Sequence, residues 1–97
     1  MPELTKDSRK VLKAIYDKYL ERRKDGQSKG AAMNFSSMES EQFQGLTDAS
    51  PELKRAGFIK ENIIGDFSLT DKAIIFMENF TKDTIVKWLE FGSNFIP

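Results

Sequence analysis

Thr47, Ser50, Lys54 and Arg55 follow one another at spacings of three, four and one, and Lys60 lies five further on. Hydroxyls and cations at these intervals gather toward one side of a helix. They are the side chains that donate hydrogen bonds to phosphate oxygens and base edges. Lys54 and Arg55 are thus candidate nucleic-acid contacts together with Thr47. Ser50 lies at the margin of that face, and Lys60 is positioned to meet a phosphate from the strand that follows.

Other chemistry finds little material. The chain has no Cys and no His, which removes thiolates, disulfides, the commonest metal ligand and the commonest general base. Ser36 and Ser37 precede Glu39 as in a helix-capping box, not as a nucleophile beside its base. Glu39 and Glu41 are two apart and point to different sides of a helix. No phosphate-binding glycine loop or zinc-binding helix motif is present. The expectation is a non-enzyme with no cofactor, metal or small-molecule substrate. Residues 3–10 are polar, unlike a signal peptide. The apolar runs fall far short of the ~20 residues of a membrane span. In residues 84–97 Lys87 is the one cation, too few for an interfacial helix. These points lead to a cytoplasmic protein with no membrane role.

The elements that must position these residues follow from periodicity and punctuation. Residues 7–24 carry a stripe of Val11, Leu12, Ile15, Tyr16, Tyr19 and Leu20, one face of a first helix started by Thr5 or Asp7. Residues 25–37 form a connector in which Ala32, Met33 and Phe35 suit a short strand or an anchored loop. A short second helix is expected over 37–44, with Met38 and Phe43 as anchors and Gly45 as its stop. Residues 46–56 give the third helix, with Leu46, Ala49, Leu53 and Ala56 buried. Pro51 leaves two starts open: Ser50 caps a helix beginning at Pro51, or the helix begins near Thr47 with Pro51 in its first turn. The second is preferred because it keeps Leu46 and Ala49 in register.

After Gly57 come a strand at 58–59, a turn at 61–65 and a second strand at 66–69. Thr70 caps a fourth helix with Ala73, Phe76, Met77 and Phe80 inward. A last helix spans 82–91, and Gly92 begins an apolar tail, 92–97. The chain reads as one mainly α domain over 1–97 with a small antiparallel β-hairpin. Its core lies in 7–80 and the C-terminal helix is an addition.

Three helices followed by a hairpin resemble the winged helix-turn-helix arrangement. The likeness is carried by Leu53, Gly57, Phe58, Ile59, then Phe67, Leu69 and Thr70, a pattern of leucine, helix-ending glycine, two strands and a leucine-threonine step into a helix. The chain is similar to the small winged-helix proteins of the YjcQ-like group of Gram-positive bacteria and their prophages. It departs from them at Ala73, where the pattern often has glycine, and in its short hairpin. The resemblance implies transcription regulation, with the third helix entering the major groove of double-stranded DNA.

Charge placement pulls the other way. Net charge is zero, but residues 1–35 hold nine basic and five acidic side chains, and residues 36–53 hold four acidic and none basic. DNA affinity depends on phosphate neutralisation, and here the cations gather on the first helix. A second reading is therefore a protein-interaction module. Ile63 and Ile64 in the turn, and Trp88, Phe91 and Phe95 toward the C-terminus, offer more apolar surface than one core uses. They suggest a homodimer through the C-terminal helix. The competing arrangement folds Trp88 and the terminal phenylalanines back over the single core.

Overall fold

The computed structural model describes residues 4–92. Helix α1 (Lys6–Lys24) begins where the Thr5 hydroxyl accepts the Ser8 amide. Asp7 in its first turn and Arg22, Arg23 and Lys24 in its last complement the helix dipole. The predicted stripe is buried except at Leu20, which is exposed. Arg9 is buried as well. It donates to the carbonyls of Leu4 and Leu89, joining the start of α1 to the C-terminal helix.

The connector is more ordered than its composition suggests. Ser28 caps a five-residue helix, α2 (Lys29–Met33), and strand β1 (Asn34–Phe35) follows. Ala32 and Met33, candidates for a strand, belong to that helix. Ser36 and Glu39 form the reciprocal capping pair: each side chain accepts the other's amide. What they cap is only a 3-10 turn, Glu39–Gln42. The expected helix over 37–44 does not form because Phe43 is its one buried anchor. Met38 stands 82 % exposed, so there is no apolar face to hold a longer helix.

Gly45, at φ +84°, turns the chain into α3 (Leu46–Arg55). Leu46, Ala49 and Leu53 are buried, and Ala56 extends the face just past the end. The preferred register therefore holds, but Pro51 lies in the second turn, not the first. It cannot donate to the Thr47 carbonyl. Packing of the three apolar side chains outweighs that loss. At the other end Gly57 (φ +78°) closes the helix in a Schellman arrangement, its amide bonding the Lys54 carbonyl and the Phe58 amide the Leu53 carbonyl. Phe58 is thereby dropped onto Leu53 in the core.

Strands β2 (Ile59–Glu61) and β3 (Phe67–Leu69) form the hairpin, and β1 adds to the far side of β3, giving the order β1-β3-β2. All pairings are antiparallel: Phe35 faces Phe67, and Ile59 faces Leu69. The Phe35 and Phe67 rings stack at 5.0 Å, with Phe43 edge-on to both. Thr70 then caps α4 (Asp71–Glu78) and also donates to the Gly57 carbonyl at 2.6 Å, tying the exit of the hairpin to its entrance. Ala73 has no exposed surface.

Helix α5 (Lys82–Phe91) matches its expected limits, and Thr81 and Thr84 make its capping box. Its packing corrects the expectation for Trp88. That ring is 2 % exposed and lies against Phe76 and Phe80, at 5.4 and 5.0 Å between centroids. Trp88 belongs to the chain's own core and is not a surface for a second chain. Phe91 is exposed, and Phe95 lies outside the described residues. No helix among the described residues is long and apolar enough to cross a membrane.

Candidate nucleic-acid interface

Helix α3 packs on α1 through its apolar side and leaves Thr47, Asp48, Pro51, Lys54 and Arg55 exposed, with Ser50 half-buried. Gly45 has no side-chain oxygen, so the amides of the first turn carry no side-chain cap. The C-terminal half of α3 is tied to the hairpin. The Lys54 ammonium meets the Glu61 carboxylate at 2.9 Å, both partly exposed. Between helix and hairpin lies a groove of about 290 Å³, lined by Thr47, Ser50, Pro51 and Lys54 on one side and by Glu61 and Gly65 on the other. Thr47, Ser50 and Lys54 thus line one trough, together with Ser40 and the Glu61 carboxylate.

Strand alternation separates the remaining candidate from that trough. Ile59 is buried, and Glu61, two residues on, reaches Lys54, so both point toward α3. Lys60 points the other way. It stands opposite Ser68, which in turn stands opposite Asn34, on the outer face of the sheet. The five candidates therefore do not form one patch. Thr47, Ser50 and Lys54 line the groove, Arg55 is exposed at the end of α3, and Lys60 lies behind the hairpin. The alternation of Ile59, Lys60 and Glu61 carried that signal in the sequence.

Two of the four carboxylates of residues 36–53 are engaged inside the fold. Glu39 pairs with Arg22 and accepts the Ser36 amide. Glu52 accepts the Thr5 amide and the Thr5 and Ser8 hydroxyls, which anchors α3 to the cap of α1. Burial pushes its carboxyl up, but these three hydrogen bonds, with Arg55 near, hold it below the usual carboxylate range. Asp66 accepts the Ser37 amide at 2.8 Å. Glu41 and Asp48 have no such partner among the described residues.

The basic front is consumed as well. Arg22 donates to the Asn34 carbonyl at 2.6 Å, pairs with Glu39 and stacks its guanidinium 4.3 Å from the Phe35 ring centre. It is a clamp between α1, β1 and the 3-10 turn, not a free cation. Nothing in the sequence marks it, since its partners lie twelve or more residues away. Lys6, Lys13, Lys18 and Lys29 are also in ion pairs. Arg55 and Lys60 have no ion-pair partner among the described residues. The surplus of cations on the first helix is thus smaller in the folded chain than in the sequence, and of the four acidic side chains of residues 36–53 Glu39 is the one in an ion pair among the described residues.

No protein-family model, curated protein or solved structure matches the chain.

Proposed function

We propose that the chain is a winged helix-turn-helix domain that binds double-stranded DNA and regulates transcription. In this reading α3 enters the major groove, and the trough between α3 and the hairpin takes a sugar–phosphate backbone. The observation that carries it is the Lys54–Glu61 link, which fixes hairpin against helix so that Thr47, Ser50 and Lys54 face one groove. The ion pair of Glu39 with Arg22 supports it, because that carboxylate is neutralised inside the fold. The reading keeps the YjcQ-like group as the working family, involves no reaction step, and carries a cytoplasmic location with it.

Titration against random duplex DNA at about 50 mM salt tests the proposal, because non-specific electrostatic binding is strong there. Binding in the micromolar range that weakens as salt rises supports it. No binding at tens of micromolar protein sinks it.

A second reading, a protein-binding module or homodimer, is favoured by the exposure of Val86 and Phe91 on α5. With Trp88 in the core, a contact through α5 rests on those two side chains, while Ile63 and Ile64 stand exposed in the hairpin turn. Light scattering of Val86→Ser at about 100 µM against the parent separates the readings; a parent that is already monomeric removes the dimer.

A further inference from the structure

Helices α1 and α3 meet along a cleft of about 690 Å³ that the DNA-binding reading leaves unused. At one end the Thr5 and Ser8 hydroxyls, at the start of α1, reach Glu52 near the end of α3. Toward the other end Gly45, bare of a side chain, lies over Val11. The two helices therefore run in opposite directions along the cleft. Its floor is apolar, made by the buried side chains of Val11, Phe43 and Ala49. Its walls are charged, with Asp7 on α1 and Asp48 and Glu52 on α3 against one cation, Lys10. Glu52 is held in place there. One of its carboxylate oxygens accepts the Thr5 amide, and the other accepts the Thr5 and Ser8 hydroxyls. Ser8 is 2 % exposed, so this frame belongs to the interior. All three donors are neutral; they orient the charge and do not cancel it. Glu39, Glu61 and Glu90 have cation partners, whereas Asp7, Asp48 and Glu52 are in no ion pair among the described residues.

We propose that this cleft binds a small organic cation, an ammonium carried on an apolar body. The body lies on Val11, Phe43 and Ala49, and the ammonium sits among Asp7, Asp48 and Glu52. An apolar floor with a few convergent polar groups is the general form of a small-molecule site, and the volume is in the ordinary range for one. The lining selects the class of ligand. Three carboxylates to one ammonium disfavour an anion. The apolar floor disfavours a bare metal ion, which takes oxygen ligands on every side. An organic cation matches both parts at once, and its charge-assisted hydrogen bonds are the stronger for a carboxylate that is already oriented. Lys10 is the competitor inside the site, since its ammonium can reach the same wall. A bound cation would bridge α1 and α3. The proposal stands apart from the DNA-binding reading, because neither the cleft nor its test involves DNA.

The test compares three probes of similar shape and different charge: phenethylamine, phenethyl alcohol and phenylpropanoate. Each is titrated into the labelled protein at neutral pH and low salt while amide chemical shifts are followed. The amine is expected to move Ser8, Val11, Asp48 and Ala49 and to saturate in the millimolar range, ordinary for a ligand of so few atoms. The alcohol is expected to bind about tenfold more weakly, having lost the charge-assisted bond, and the carboxylate more weakly still. Two variants then probe the wall. Asp48 and Lys10 are both exposed, so Asp48→Asn and Lys10→Ala keep the fold. Asp48→Asn is expected to lower affinity for the amine about fivefold, and Lys10→Ala to raise it about threefold. The proposal is overturned by an amine that gives no saturable shift at the cleft, by an alcohol that binds as well as the amine, or by a carboxylate that binds best. Asp48→Asn with the parent's affinity, or Lys10→Ala with a lower one, overturns it too.

Discussion

The Lys54 ammonium lies 2.9 Å from the Glu61 carboxylate, joining the last turn of α3 to the first strand of the hairpin. The pair does two things at once. It fixes the angle between helix and hairpin, and it half-neutralises the cation best placed in the groove. As a partly exposed pair it contributes about 0–1 kcal/mol to stability. Its larger effect is electrostatic.

Glu61→Gln should therefore raise affinity for duplex DNA roughly threefold at low salt, with little change in melting temperature. Lys54→Ala plus Arg55→Ala should lower affinity and reduce the slope of log K against log salt by about 2. Fluorescence anisotropy at several salt concentrations measures both. A Glu61→Gln protein with unchanged affinity would mean that Lys54 does not meet phosphate.

Arg22 is predicted to matter for folding and not for binding. Arg22→Ala removes a hydrogen bond to the Asn34 carbonyl, the partner of Glu39 and a cation over Phe35. The expected loss is about 1–3 kcal/mol in urea denaturation. At temperatures where the variant is still folded, DNA affinity should stay within about twofold of the parent, one phosphate contact or fewer. A tenfold loss in binding with no loss of stability would return Arg22 to the DNA surface.

Trp88 is the one tryptophan, and it sits in the core against Phe76 and Phe80. Trp88→Ala should cost about 3–5 kcal/mol through the cavity it leaves. Trp88→Phe should cost less and leave the oligomeric state as it is. In the parent, indole fluorescence should be blue-shifted and should report unfolding. A red-shifted emission at native conditions would contradict the buried position.

Acid should loosen the junction of α1 and α3. The Glu52 carboxyl is held below its ordinary range by Thr5 and Ser8, so the folded state binds its proton less readily than the unfolded chain does. That contribution to stability is present above the unfolded value near pH 4 and is lost as pH falls through the lowered folded value. Glu52→Gln should flatten the acid limb of the stability curve below the ordinary carboxylate range. An acid limb identical in parent and variant would show that the three hydrogen bonds do not favour the charged form.

Local signals in the sequence located most elements, and long-range partners decided what those signals missed. Thr5 and Thr70 announce helix starts, and Gly57 announces a helix end, because caps act within three or four residues. Alternation across Phe67 and Leu69 gave the second strand. The five residues of α2 carry no helical signal in the sequence, because Gly30 sits among them and only Ala32 is buried. The 3-10 turn stays shorter than the helix its spacing suggests because Met38 faces solvent and anchors nothing. Spacing alone leaves Trp88 open between an interface and the core, because the face it meets comes from another element; the rings of Phe76 and Phe80 supply it. The groove itself was the least legible feature. It depends on Gly65 and Glu61 returning to α3, and no spacing along the chain encodes that approach.

The most direct measurement of the central claim is amide chemical-shift mapping of the labelled protein during titration with duplex DNA at about 50 mM salt, where non-specific association is strong. The account predicts the largest changes at Thr47, Ser50, Lys54 and Gly65, the residues lining the trough between α3 and the hairpin. Changes confined to α1, or none at all, would contradict it.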